Sequence, residues 1–211
     1  MPCAYTTPSP NPLNFARYRD LHPDGKHLVK QWFDRALVEN SNQQGSQFEA
    51  FIFLWFAFNG FAACVTVVDR DAEIIRKVGN CPDLRRRFID LQTQEPEFAN
   101  RTAEFASYWP IFRVQDLRRL SLLHSSHGSR REMVDHYLSI PGAGHEPECY
   151  EFHRSHGQEI PADWPHTLQA IYRVRCNLFH GEKSPSAEID IRIVRQAFLV
   201  LSMFIQRVHL L

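Results

Sequence analysis

The sequence lacks an excess of charge of either sign, and it lacks the short signatures of several large enzyme classes. Its 211 residues include 24 Lys and Arg and 24 Asp and Glu, so the net charge is zero with histidine neutral. This balance excludes a histone-like protein that binds nucleic acid through bulk positive charge. No P-loop, GxGxxG, HExxH or GxSxG motif occurs. The usual signatures of P-loop NTPases, Rossmann enzymes, zincin proteases and α/β-hydrolases are therefore missing.

The cysteine pattern and the first residues lead us to expect neither a disulfide framework nor a signal peptide. Its five cysteines are widely spaced, odd in number and form no CxxC pair, which favours reduced thiols and a cytoplasmic protein. The first residues have neither a basic n-region nor an apolar h-region. Four prolines precede Asn14, and they predict a disordered N-terminal tail over residues 1–14.

One apolar segment has nearly the length of a membrane span. Residues 51–68 contain 18 uncharged positions, which is the lower limit for a transmembrane helix. Asn59 and Gly60 interrupt the run, and neither end carries the cluster of Lys or Arg that would set its orientation. A core helix surrounded by other helices has the same composition. We therefore expect a buried helix and no membrane association.

Helical periodicity dominates the chain and predicts an all-α fold without a convincing β-hairpin. We expect a single domain over residues 15–211, built as a four-helix bundle with an inserted helical region. The core helices are expected in about 25–78 and 164–210, and the insertion at about 80–163. The predicted helices are 25–38, 46–78, 82–93, 97–108, 112–123, 130–139, 164–179 and 187–209. Residues 141–161 are rich in Gly, Pro and His and predict a long loop.

The most informative stretch is IYRVRCNLFHG, residues 171–181, on a predicted helix. The helix is expected to begin after Asp163 as its N-cap and to end at Gly181. Arg173, Asn177 and His180 lie within about 60° of one another on a helical projection, and Arg175 lies on another face. An arginine can bind a phosphate bidentately, and a histidine can move a proton near neutral pH. The pair therefore suits cleavage of a phosphodiester bond in RNA, where the 2′-OH is the nucleophile. The alternative is an ordinary solvated helix end.

Two segments resemble a known family. RVRCNLFHGEK resembles the motif helix of HEPN domains, whose signature is Arg, four to six residues, then His. FEAFIFLWFAFNGFAACV is similar to the apolar helix near the start of bacterial HEPN proteins. The resemblance implies an all-α bundle that forms a homodimer through its two motif helices. It also implies a metal-independent endoribonuclease without a cofactor, often a toxin or phage-defence effector.

Carried over to this sequence, the resemblance makes Arg175 and His180 the catalytic pair, with four residues between them. Arg173 also satisfies the looser signature. Cys176 stands where active members often have Asn, Asp or His, and Asn177 follows it. Arg173, Asn177 and Lys183 are then the candidates for supporting or phosphate-binding residues. RNA is the expected partner, and an antitoxin protein is a further candidate.

Two alternative functions compete with that of an endoribonuclease. Some HEPN domains are noncatalytic and bind RNA, a nucleotide or a partner protein, and a structural dimerisation domain is a third alternative. The position of the two motif side chains discriminates between them. A cleft shared across a dimer favours the enzyme, whereas an internal ion pair at Arg175 with His180 alone in solvent favours the binding module.

Other clusters predict less. His145, Cys149, His153 and His156 have a spacing that zinc accepts, but without a second paired motif we favour a polar loop and expect no metal. His124 and His127 are expected to cap a helix end.

Three basic clusters occur in the predicted insertion, at 85–87, 118–119 and 130–131. Each is expected to be a solvated face. If they converged on the motif helix they would form an RNA track, with Tyr108 or Trp109 stacking on bases.

Overall fold

The computed structural model describes residues 13–42, 45–119 and 129–211. The predicted disordered tail lies outside the described residues except for its last two positions, and His124 and His127 also lie outside them. The described chain folds into helices with one two-stranded sheet of four residues. The prediction of an all-α fold is therefore confirmed.

The helices follow one another with short connections. They are α1 (Phe15–Arg19), α2 (Pro23–Ser41), α3 (Gln47–Thr66), α4 (Asp71–Gly79), α5 (Pro82–Gln94), α6 (Pro96–Ala106), α7 (Val114–Arg119), α8 (Arg130–Leu138), α9 (Tyr150–Ser155), α10 (Trp164–Phe179) and α11 (Glu188–Arg207). Strand β1 (Ile111–Phe112) pairs antiparallel with β2 (His145–Glu146), with Ile111 opposite Glu146.

The apolar helix α3 lies at the centre of the main core and packs against α2, α4 and α11. Ser46 caps its N-terminus by accepting a hydrogen bond from the Glu49 N–H. Half of the helix is buried, at Ala50, Phe51, Leu54, Trp55, Ala57, Phe58, Phe61, Ala62, Val65 and Thr66. By length and composition α3 is the one described helix that could cross a membrane, and half of its apolar window is buried inside the protein.

The predicted helix over 46–78 is wrong in one respect, because it is two helices. Val67 ends α3 in a left-handed conformation with φ 57°, and its N–H donates to the Ala63 carbonyl. The chain then turns into α4, which buries Ile74, Ile75 and Val78 against the rest of the core. A left-handed valine is costly, so no residue preference in the sequence signals this break.

The expected long loop at 141–161 is only partly a loop. It contains β2 and the short helix α9. Helices α5 and α6, which were placed in the insertion, contribute Leu84, Phe88 and Phe98 to the main core. A second, smaller apolar cluster is formed by Phe112, Leu117, Val134 and Tyr137, around β1, α7 and α8.

The motif helix α10 is fixed at both ends. Asp163 is its N-cap, as predicted, and accepts a hydrogen bond from the His166 N–H at 3.2 Å. At the other end Gly181 adopts φ 67°. Its N–H donates to Leu178, and the Glu182 N–H donates to the Asn177 carbonyl at 2.8 Å. These two hydrogen bonds form a Schellman motif, and they place His180 at the C-cap, directly after Phe179.

Candidate functional site at the end of the motif helix

Arg175 lies on the outer face of α10 in a mixed ionic and aromatic environment. Its guanidinium forms an ion pair with Asp71 of α4, with 2.8 Å between Nη2 and Oδ2. The same group lies over the ring of Phe179 at 4.5 Å and over Trp55 at 5.7 Å. The side chain keeps 21 % of its surface exposed. Arg175 is therefore held in one orientation while part of the guanidinium stays open to a ligand.

Tyr172 and Cys176 line the same face of the helix. Tyr172 stacks on Trp55, with 6.0 Å between ring centroids. Burial raises the pKa of Tyr172 to about 12, and Cys176 and Asp71 add to the shift. The phenol therefore stays protonated at neutral pH and serves as a neutral hydrogen-bonding group beside the ion pair.

His180 is exposed at the C-terminal end of α10. Its imidazole makes no hydrogen bond or ion pair with the rest of the described chain, so both ring nitrogens are available to a ligand. Arg118 of α7 comes to the same place, because its Nη2 donates to the Gly181 carbonyl at 3.3 Å. His180 and Arg175 are five positions apart, which is about 140° around the helix. Within one chain the two side chains therefore leave α10 in different directions.

Arg173 and Asn177 lie on the inner face of α10 and are buried, at 8 % and 1 % exposure. Arg173 pairs with Glu146 of β2 at 3.4 Å. The Asn177 amide donates to the Phe112 carbonyl at 2.8 Å and accepts from the Val114 N–H at 3.4 Å. These contacts attach the small sheet to the motif helix, and they leave both side chains buried, away from a ligand in solvent.

Lys183 is also engaged within the chain. Its ammonium donates to Asp190 of α11 at 2.6 Å, and only 7 % of its side chain is exposed. The other oxygen of Asp190 accepts the Ser184 N–H at 2.9 Å. The pair borders a cavity of about 190 Å³ between α11 and the β1–α8 region. Lys183 therefore stabilises the turn after α10. Because its charge is paired with Asp190 and its side chain is buried, it is not available to bind a phosphate from solvent.

An exposed aromatic face adjoins Arg175. We define it by Trp32 of α2, Phe53 and Phe56 of α3 and Phe179 of α10. Phe56 and Phe179 are 39 % and 43 % exposed, and their centroids are 6.2 Å apart. Trp32 contacts Phe56 at 5.2 Å and Phe53 at 5.5 Å. Aromatic and arginine side chains of this kind are enriched at protein interfaces.

The basic clusters do not converge as a group. In the first, Arg86 and Arg87 pair with Asp83 on their own helix. In the second, only Arg118 contacts the end of the motif helix, as described above. Arg130 of the third cluster donates to the carbonyls of Tyr108 and Pro110.

The described residues contain no group of three His, Cys, Asp or Glu side chains that could hold a metal ion.

Sequence reasoning missed the carboxylates that hold the basic motif residues. Asp71, Glu146 and Asp190 pair with Arg175, Arg173 and Lys183 respectively. Each carboxylate belongs to another element of the chain, and no spacing rule connects it to the motif. One sequence signal points to these carboxylates. A cation among apolar neighbours on a helix is expected to be buried, and a buried cation requires a partner of opposite charge.

No protein-family model, curated protein or solved structure matches this chain. The HEPN resemblance therefore depends on the two segments RVRCNLFHGEK and FEAFIFLWFAFNGFAACV alone.

Proposed function

We propose that this chain is a metal-independent endoribonuclease of HEPN type that acts as a homodimer. The observation that carries the proposal is the placement of Arg175 and His180. Of the five motif candidates, these two have exposed surface, and Arg175 adjoins the aromatic face, while Arg173, Asn177 and Lys183 are occupied inside the chain. Arg173 and Arg175 both satisfy the sequence signature, and of the two only Arg175 is accessible.

A dimer supplies what one chain lacks. The two side chains diverge around α10, so a phosphate bound at Arg175 is out of line with His180 of the same helix. If two α10 helices met along the aromatic face, the Arg175 of one protomer would lie near the His180 of the other. Exposed Phe56 and Phe179 give such an interface an apolar centre.

The chemistry follows from general acid–base catalysis. One His180 takes the proton of the RNA 2′-OH as its oxygen forms a bond to phosphorus. The bond from phosphorus to the 5′ oxygen breaks, and the second His180 gives that oxygen a proton. Arg175 stabilises the charge on the phosphoryl oxygens, and Asp71 orients the guanidinium. The products are a 2′,3′-cyclic phosphate and a 5′-OH.

The proposed setting is cytoplasmic, as a toxin or phage-defence effector whose partner is RNA and, where it is controlled, an antitoxin protein. The support for this setting is the resemblance of the two segments. The zero net charge agrees with a nuclease that meets RNA at one local site.

The test is cleavage of a defined RNA in the presence of EDTA. Wild type is expected to give 2′,3′-cyclic phosphate ends, and His180→Ala is expected to lose at least about 100-fold in rate. His27→Ala, an exposed histidine on α2, is the matched control and should cleave as wild type does. Equal rates for wild type and His180→Ala would overturn the proposal.

A second candidate is favoured by both conditions that discriminate it from the enzyme. Arg175 forms an internal ion pair with Asp71, and His180 is exposed without a hydrogen-bond or ion-pair partner among the described residues. If this ion pair has a purely structural role, the chain is a noncatalytic module that binds RNA, a nucleotide or a partner protein. The same assay separates the two functions. RNA binding without cleavage, unchanged in His180→Ala, would assign the binding module.

A further inference from the structure

We propose that a groove in the α6–α9 region binds a nucleotide, with the nucleobase against Tyr150 and the phosphate at Arg130 and Arg131. The groove is formed by two cavities of about 650 and 430 Å³, which share Ser107, Trp109, Tyr150 and Arg154 in their walls. Both volumes fall in the range of small-molecule sites, about 300–1,000 Å³. The groove lies outside the motif helix, and its binding does not require cleavage.

The anion-binding half of the groove has an excess of positive charge. Its smaller cavity is lined by Arg130, Arg131 and Arg154 together with Asp135. Arg154 pairs with Asp135 at 2.5 Å, which neutralises both. Arg130 contacts only backbone carbonyls, and within the described chain neither Arg130 nor Arg131 has a carboxylate partner. Two uncompensated guanidinium groups therefore remain at this end.

Arg130 is prepared for an anion. Its two backbone contacts fix the guanidinium, and burial lowers its pKa because the charged form is partly desolvated. A fixed, partly buried cation that lacks a counterion gains more from a bound phosphate than a solvated one does. Arg131 is exposed and adds the second charge at the mouth of the groove.

The other half of the groove suits a planar base. Tyr150 is half-buried and lines both cavities, and the larger cavity adds Ile160 and Pro161 as apolar walls. Gln158 and Glu159 supply donor and acceptor groups for the edge of a base. Glu159 also repels a phosphate from this half, so the charges set one direction for the ligand. Aromatic walls beside arginines are the usual means of binding single nucleotides of a strand.

Trp109 adds an aromatic surface to the groove. It is 6 % exposed and belongs to the wall that the two cavities share. Its indole N–H is buried, so the part of the side chain that reaches the groove is apolar and can contact a planar base.

The ligand chemistry is shared by a free nucleotide and by one unit of an RNA strand, so the experiment uses both. Binding is measured by tryptophan fluorescence and by calorimetry with adenosine 5′-monophosphate, a short 2′-O-methyl oligoadenylate that cannot be cleaved, adenosine and inorganic phosphate. We expect adenosine 5′-monophosphate or the oligonucleotide to bind more tightly than adenosine or phosphate. Tight binding of the oligonucleotide alone assigns the source to a strand.

Variants locate the site. Arg131→Glu is expected to weaken binding at least about tenfold, and Tyr150→Ala about fivefold or more, while Tyr150→Phe retains the ring and binds as wild type does. Arg86→Glu, an exposed arginine on α5, is the matched control. The groove proposal is overturned if no nucleotide probe binds, if phosphate binds as tightly as the nucleotides, or if Arg131→Glu matches Arg86→Glu. Loss of cleavage in His180→Ala with this binding intact separates the groove from the proposed nuclease function.

Discussion

Arg173 and Arg175 are two residues apart on one helix, and their surroundings differ in almost every respect. Arg173 faces inward, is 8 % exposed and pairs with Glu146 of the small sheet. Arg175 faces outward, pairs with Asp71 at 2.8 Å, and keeps a fifth of its side chain in contact with solvent. Both satisfy the Arg-His signature, so the signature alone does not choose between them. The comparison teaches that the inner face of α10 holds the fold and the outer face is available for function.

The largest stability effect is expected on the inner face. Arg173→Ala removes the guanidinium that pairs with the buried Glu146 carboxylate, and we expect it to lower the free energy of unfolding by about 3 kcal/mol. Denaturant unfolding followed by circular dichroism measures it. The double variant Arg173→Met with Glu146→Gln removes both charges and should regain most of the loss. A wild-type stability for Arg173→Ala would show that the inner face does not depend on this pair.

Asn177→Ala should have the next largest effect. It leaves the Phe112 carbonyl and the Val114 N–H without their side-chain partner, which predicts a loss of about 1–3 kcal/mol. Hydrogen exchange of the β1 amides reports whether the sheet detaches from α10. The same unfolding midpoint and the same exchange as wild type would contradict the assigned role.

The motif helix and its neighbours also show which parts of the structure could be predicted from the sequence and which could not. The apolar period of α3, α10 and α11 and the Asp163 cap were sufficient for an all-α fold and for the position of the motif helix, because these features are local. The break at Val67 could not be predicted from residue preferences. It depends on the packing of α4 against α10, which the sequence does not show. Arg173 is a candidate for a supporting or phosphate-binding residue because it also satisfies the looser signature, and its pairing with Glu146 could not be predicted because that carboxylate is remote in sequence.

The outer face is tested by association. Phe179→Glu places a charge in the aromatic face, and we expect it to weaken homodimer formation at least about tenfold, which is about 1.4 kcal/mol. Sedimentation equilibrium gives the dissociation constant. Ile89→Glu changes another exposed apolar residue, on α5, and should dimerise as wild type does. A wild type that stays monomeric, or equal dimerisation of both variants, would remove the aromatic face from the account.

The smallest effect is a pH dependence in the sheet that the inner face holds. Burial lowers the pKa of His145, although Glu151 and Glu148 oppose the shift. The unfolded chain therefore binds this proton at a higher pH than the folded chain does, so stability is full above about pH 6.5 and falls as the pH decreases below it. His145→Gln should reduce the change of Tm with pH between about pH 7.5 and 5.5. An unchanged slope in this variant would assign the dependence to other histidines.

The central claim is that Arg175 serves function and not the fold, and the most direct test measures both properties of Arg175→Ala. Its ion pair and ring contacts are partly exposed, so their loss should cost no more than about 2 kcal/mol of stability. Cleavage of RNA in EDTA should nevertheless decrease at least about 100-fold. Cleavage at the wild-type rate, or a loss of cleavage that appears only where the variant unfolds, would contradict the account.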